Sequence, residues 1–160
     1  MSSQPHLQPV PENHLLGALQ VHERNAVQRG SVVVACTPGQ TLLDANTHTN
    51  HVFFPIDAVV ALVRKLDDGN AIELGIAGND GMIGCDAFSD AKTGLDEAIV
   101  RSPGNAWCMP AEDFRRQFHR GGGLQKALLR FMTTFVSQLA QNASCNRFHS
   151  IEGRVARWLL

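Results

Sequence analysis

The chain has 160 residues, 44% of them hydrophobic and 18% charged, enough to bury one core of a globular domain with an appended helix. No apolar run approaches the roughly 20 residues of a membrane span, and the opening stretch lacks the basic and apolar regions of a signal peptide, so a cytoplasmic protein with no membrane partner is expected. A formal net charge of −1 excludes an overall basic bias, yet from Leu124 onward five basic side chains face one acid, so any contact with DNA is expected at or beyond the C-terminal end.

Residues 1–11 are polar, Pro-punctuated and without periodicity, and a disordered tail is expected there. Leu15, Leu16, Leu19 and Val27 fit one or two short helices between Glu12 and Arg29, interrupted near Gln20 and closed by Gly30. From Ser31 to Met109 short β-branched runs alternate with Gly, Pro, Asn and Asp, the grammar of a sandwich or small barrel. The spacing predicts strands at 32–36, 41–43, 51–54, 59–66, 71–76, 98–101 and 105–109. The fourth and fifth form a hairpin in which the Asp68-Gly69 step supplies positive φ angles. Alternation there puts Val60, Leu62 and Leu66 on one face and Val59, Ala61 and Val63 on the other, with both faces largely buried.

Pro110 suits a first helical position, with Glu112 and Asp113 in the first turn and Phe114 and Phe118 one turn apart. Gly121, Gly122 and Gly123 end that helix. The next helix, about Leu124 to Cys145, contains neither Gly nor Pro. Its apolar stripe of Leu124, Leu128, Phe131, Phe135 and Leu139 is taken as the dimer interface, because so apolar a face needs cover. Met132, Val136 and Leu139 offer a further side, so the helix is read as serving both its own domain and a twin. A last helix starts near Ser150 and the chain stops within it, with no polar cap or Gly. That is the expectation for a chain cut inside a further domain. The resulting division is a tail over 1–11, a β domain over 12–120, a dimerisation helix over 121–146 and the start of a second domain over 147–160.

This order of elements, together with HVFFP at 51–55, AVVAL at 58–62, DGNAIELGI at 68–76, GNDGMIG at 78–84 and AQNASCNRFHSIEGRVARWLL at 140–160, resembles the Crp/Fnr transcription regulators. The resemblance implies a mostly β fold with flanking helices, a double-stranded β-helix or jelly roll like that of cyclic-nucleotide-binding domains, followed by a long dimerisation helix. It further implies a homodimer, a small-molecule effector and DNA contact through a C-terminal helix-turn-helix, only the first helix of which falls within this sequence. No catalytic constellation and no cofactor are implied.

The candidate effector or anion pocket comprises Gly78, Gly81, Met82, Gly84, Cys85, Asp96 and Glu97. The glycines would let successive backbone N–H groups face an anion; the alternative is that they only turn the chain. In family members that bind cyclic nucleotides, a Glu holds the ribose and an Arg followed by Ser or Thr holds the cyclic phosphate. Here Cys85 stands in place of the Glu and Asp96-Glu97 in place of the pair, which predicts that cyclic AMP does not bind. Arg101 lies beyond the cassette and is expected at the surface.

Two rival readings remain. His48 and His51 could serve a cupin-like metal enzyme, but residues three apart on a strand point to opposite faces and no carboxylate follows at matching distance. A roll without any ligand, serving only to dimerise, is the other. Cys36, Cys85, Cys108 and Cys145 lie far apart and are expected to be reduced, mostly buried thiols, and no metal is assigned.

Overall fold

A computed structural model describes residues 12–89, 94 and 96–148. The expected N-terminal tail and the helix from Ser150 lie outside the described residues. Two short helices come first, α1 (His14–Gly17) and α2 (Val21–Arg29), parted near Gln20 as the periodicity predicts. Seven strands follow: β1 (Val32–Cys36), β2 (Thr41–Leu43), β3 (His51–Pro55), β4 (Val59–Lys65), β5 (Ala71–Ala77), β6 (Glu97–Ser102) and β7 (Gly104–Pro110). One turn of 3-10 helix, Cys85–Phe88, sits between β5 and β6. Helices α3 (Ala111–His119) and α4 (Gly123–Phe148) close the chain.

The strands form two antiparallel sheets, ordered β1-β7-β3 and β2-β6-β4-β5, so partners distant in sequence wrap into a jelly roll. Val60, Ala98, Val100, Ala106 and Ile83 fill the space between the sheets. A second core forms where the helices cover one end of the roll: Leu16, Val27, Val52, Phe54, Met109, Phe114 and Leu128 are its most buried members. Phe114 lies between Phe54 and Phe118, and Phe88 packs on Phe118 at 5.1 Å, so the 3-10 turn is pinned to α3 by aromatic contact.

Three local expectations change. In the β4–β5 hairpin only Gly69 takes a positive φ; the Gly69 N–H bonds to Leu66 O at 3.0 Å, giving a longer turn closed by one left-handed glycine. A bulge at Leu74 shifts the register, Leu62 opposing Gly75 and Val63 opposing Glu73, and Leu66 lies past the strand end and is exposed. Pro110 is still paired with His51 in the sheet, so it caps α3 from outside instead of opening its first turn.

Helix α4 turns its apolar stripe toward its own domain. Leu124, Leu128 and Phe135 are buried against their own roll; Phe131 packs over Gly81, and Leu139 over Gly75. The predicted dimer stripe is therefore the roll-facing side of the helix. Leu129, 49% exposed, and Val136, 62% exposed, lie on another side. The stripe's regular spacing identifies an apolar face but not which neighbour covers it.

Candidate functional site

A cavity of about 380 Å³ opens between the mouth of the roll and α4. Its apolar wall is Leu43, Leu62, Phe135, Val136 and Leu139, and its polar wall is Thr49, Arg64, Cys85, Asp86 and Asp96, with Asp44 at the rim and Gly84 and Gly94 completing the lining. An apolar hollow with a few convergent polar groups is the usual make of a small-molecule site.

Each polar group is positioned by local geometry. Arg64 follows Leu62 by two residues on β4 and so shares its face. Beside the last β4–β6 pair, Val63 with Glu97, the guanidinium meets Asp96 twice, Nε to Oδ1 at 2.7 Å and Nη2 to Oδ2 at 3.1 Å. Glu97 points away from that face and takes Lys65 Nζ at 2.7 Å. The two adjacent acids thus turn to opposite sides at the start of β6, Asp96 paired with Arg64 and Glu97 with Lys65. On the 3-10 turn, Thr49 Oγ1 donates to Asp86 Oδ2 at 2.9 Å, and Arg115 Nε donates to Ala87 O at 3.1 Å. Burial pushes the Cys85 thiol above its ordinary range, and the neighbouring Asp86 carboxylate adds to the rise.

Gly84, Cys85 and Asp96 are brought together in the cavity; Gly78, Gly81, Met82 and Glu97 are not among its lining. Met82 belongs to the core beneath the helices. Gly78 and Gly81 close a turn through Gly81 N–H to Gly78 O at 3.1 Å, which spends one of the amides expected to face an anion. A Cβ on Gly81 would sit 2.6 Å from the Phe131 ring, so this glycine admits α4. Gly84 has φ 82° and lies against the His51 carbonyl, a conformation and an approach that suit only glycine. Arg101 pairs with Glu73 on an exposed face.

Arg64, Thr49 and Asp86 were not singled out from the sequence. Arg64 had a legible signal, since it is the charged residue at the same-face position after Val60 and Leu62, directly following the apolar run from Val59 to Val63. Asp86 and Thr49 meet across 37 residues and carried no local signal. Among the described residues no group of three or more His, Cys, Asp or Glu stands close enough to share a metal ion, and His48 and His51 gain no third ligand. No described helix is long and apolar enough to cross a membrane.

The family model of the cyclic nucleotide-binding domain matches residues 33–120. No curated protein matches the chain in sequence. Among solved structures, the c-di-GMP responsive global regulator CLP of Xanthomonas campestris superposes with a TM-score of 0.73 at 15% identity, over 88% of this chain and 70% of that one. A protein of Eubacterium rectale described as a transcriptional regulator of the crp/fnr family gives 0.76 at 14%, over 91% and 68%. The regulatory subunit of a cAMP-independent protein kinase A from Trypanosoma brucei gives 0.64 at 15%, over 79% and 45%. At such identities the likeness is one of fold.

Proposed function

The chain belongs to the cyclic nucleotide-binding domain family, and from that premise we propose that it is the effector-sensing and dimerisation part of a Crp/Fnr-type transcription regulator that does not respond to cyclic AMP. It works in the cytoplasm as a non-catalytic homodimer and passes its signal to a DNA-reading helix-turn-helix through α4. The observation that carries this reading is the cavity itself: α4 forms one of its walls, so an occupant between Leu62 and Phe135 bears directly on the helix that leads out of the domain.

Discrimination against cyclic nucleotides follows from charge. A cyclic phosphate leaving water needs a free cation or several charge-assisted hydrogen bonds. Among the described residues the lining offers three carboxylates, Asp44, Asp86 and Asp96, and one guanidinium already held by Asp96. Cys85, where a carboxylate would take the ribose, has a thiol that stays protonated at neutral pH and accepts hydrogen bonds poorly. Calorimetry of the chain with cyclic AMP and cyclic GMP tests the reading: no saturable heat is expected, and micromolar binding of either overturns it.

A further inference from the structure

Among the described residues lining the cavity, Arg64 carries the only positive charge. Its guanidinium and the Asp96 carboxylate meet as two parallel charge-assisted bonds, 2.7 and 3.1 Å long. This fork is the geometry with which an arginine takes a carboxylate or a phosphate. We propose that Arg64 is an anion seat of the cavity and that Asp96 of the same chain is its resident occupant, an internal stand-in for the carboxylate or phosphate of an external ligand. The proposal rests on the reading of the cavity as an effector site.

The pair's position supports a seat more than a structural clamp. Regular β4–β6 pairing ends at Val63 with Glu97, and Arg64 and Asp96 come together just past it, at the mouth of the roll. On the opposite face Lys65 and Glu97 make a similar bond with Lys65 largely in solvent, so the strand ends are tied there without Arg64. Asp96 keeps 24% and Arg64 43% of its side-chain surface exposed, so the bond is open to competition and contributes little to stability. Phe135, Val136 and Leu139 complete the lining, so whatever fills the seat lies beside the helix that carries the signal.

An occupant on the same chain has an effective concentration on the order of millimolar or higher, so a dilute external anion loses the competition. Asp44 and Asp86 add repulsion in the same hollow. The site is thus closed to weak anions by one side chain, and removing that side chain should open it.

Calorimetry of the full chain with cyclic AMP, inorganic phosphate and acetate tests this. Asp96→Asn and Asp96→Ala should each bind at least one of the three roughly tenfold or more tightly than the unaltered chain. Arg64→Gln added to either should abolish the gain. Preference for phosphate or cyclic AMP over acetate would identify a phosphate seat, and the reverse a carboxylate seat. Two correctly folded Asp96 variants without any gain, or a gain that survives Arg64→Gln, overturn the proposal while leaving the effector reading standing. Arg64-dependent micromolar binding of cyclic AMP to the unaltered chain overturns both. The unaltered chain offers a check that needs no variant: the Arg64 Nε–H resonance should not move in micromolar phosphate, and a shift there sinks the internal occupant.

Discussion

Asn13 shows how much one buried polar side chain can organise. It is fully buried, its Nδ2 donates to Pro55 O at 2.9 Å and to Gly81 O at 2.8 Å, and its Oδ1 accepts from Leu16 N at 3.1 Å. One amide thereby caps α1 and ties it to β3 and to the start of the cassette. Asn13→Leu removes three bonds and leaves two buried carbonyls and one N–H without partners, so a loss of about 2–4 kcal/mol is expected in urea unfolding. A change below the cost of a single hydrogen bond would mean water takes over. Cys85 offers a chemical test at the same scale. Because its thiol is raised by burial first and by Asp86 second, its thiolate fraction at any given pH is below that of a free cysteine. Iodoacetamide should modify it more slowly than a free thiol near pH 8, with the rate climbing only at more alkaline pH. Asp86→Asn should move the profile part of the way back.

Among the elements, α4 is the one whose placement depends on residues far from it in sequence. Its N-terminus is met by α2, Gly123 N–H donating to Glu23 Oε1 at 2.6 Å, a carboxylate on the positive end of the helix. Glu23→Ala should cost about 1 kcal/mol, read as a lower urea midpoint. Further along, Phe131 and Phe135 stack at 5.5 Å and settle over Gly81 and Gly75. A methyl group at Gly81 pushes into the Phe131 ring and one at Gly75 against Leu139, and overpacking of this kind costs about 1–3 kcal/mol. Gly81→Ala should lower the melting temperature, and Phe131→Leu in that background should recover part of the loss. Equal losses with and without Phe131→Leu would show that the glycine serves the turn and not the helix.

For the whole molecule, the decisive quantity is which side of α4 is left over once the roll has taken its share. Leu128 is 1% and Phe135 8% exposed in the single chain, whereas Leu129 and Val136 remain 49% and 62% exposed. A twin helix should therefore pack on the side that carries Leu129 and Val136. Val136→Asp should halve the mass seen by light scattering. Phe135→Asp should instead destabilise the fold by about 3–5 kcal/mol, since it buries a carboxylate in place of an aromatic core residue. A monomer from Phe135→Asp with an unchanged melting curve would return the interface to the original stripe.

What the sequence by itself determined is the local and periodic part: the strand runs 32–36 and 41–43, a third from His51 that the structure extends by one residue to Pro55, the break between α1 and α2, the glycines that stop α3, and a long helix with an apolar stripe. These depend on side chains a few residues apart, so their pattern is visible along the chain. The departures at Cys85 and Asp96 were legible for the same reason, as single residues against a known phrase. Only the tertiary structure decided that the stripe faces its own roll, because periodicity is the same whether the partner is a sheet or a twin. It alone decided that Asp96 turns to Arg64 while Glu97 turns to Lys65, since that follows from the pleat and the β4–β6 register across 32 residues. It also separated Gly84, which lines the cavity, from Gly81, which admits Phe131, because a glycine's role is set by what comes near the missing Cβ, and that neighbour arrives from elsewhere in the chain.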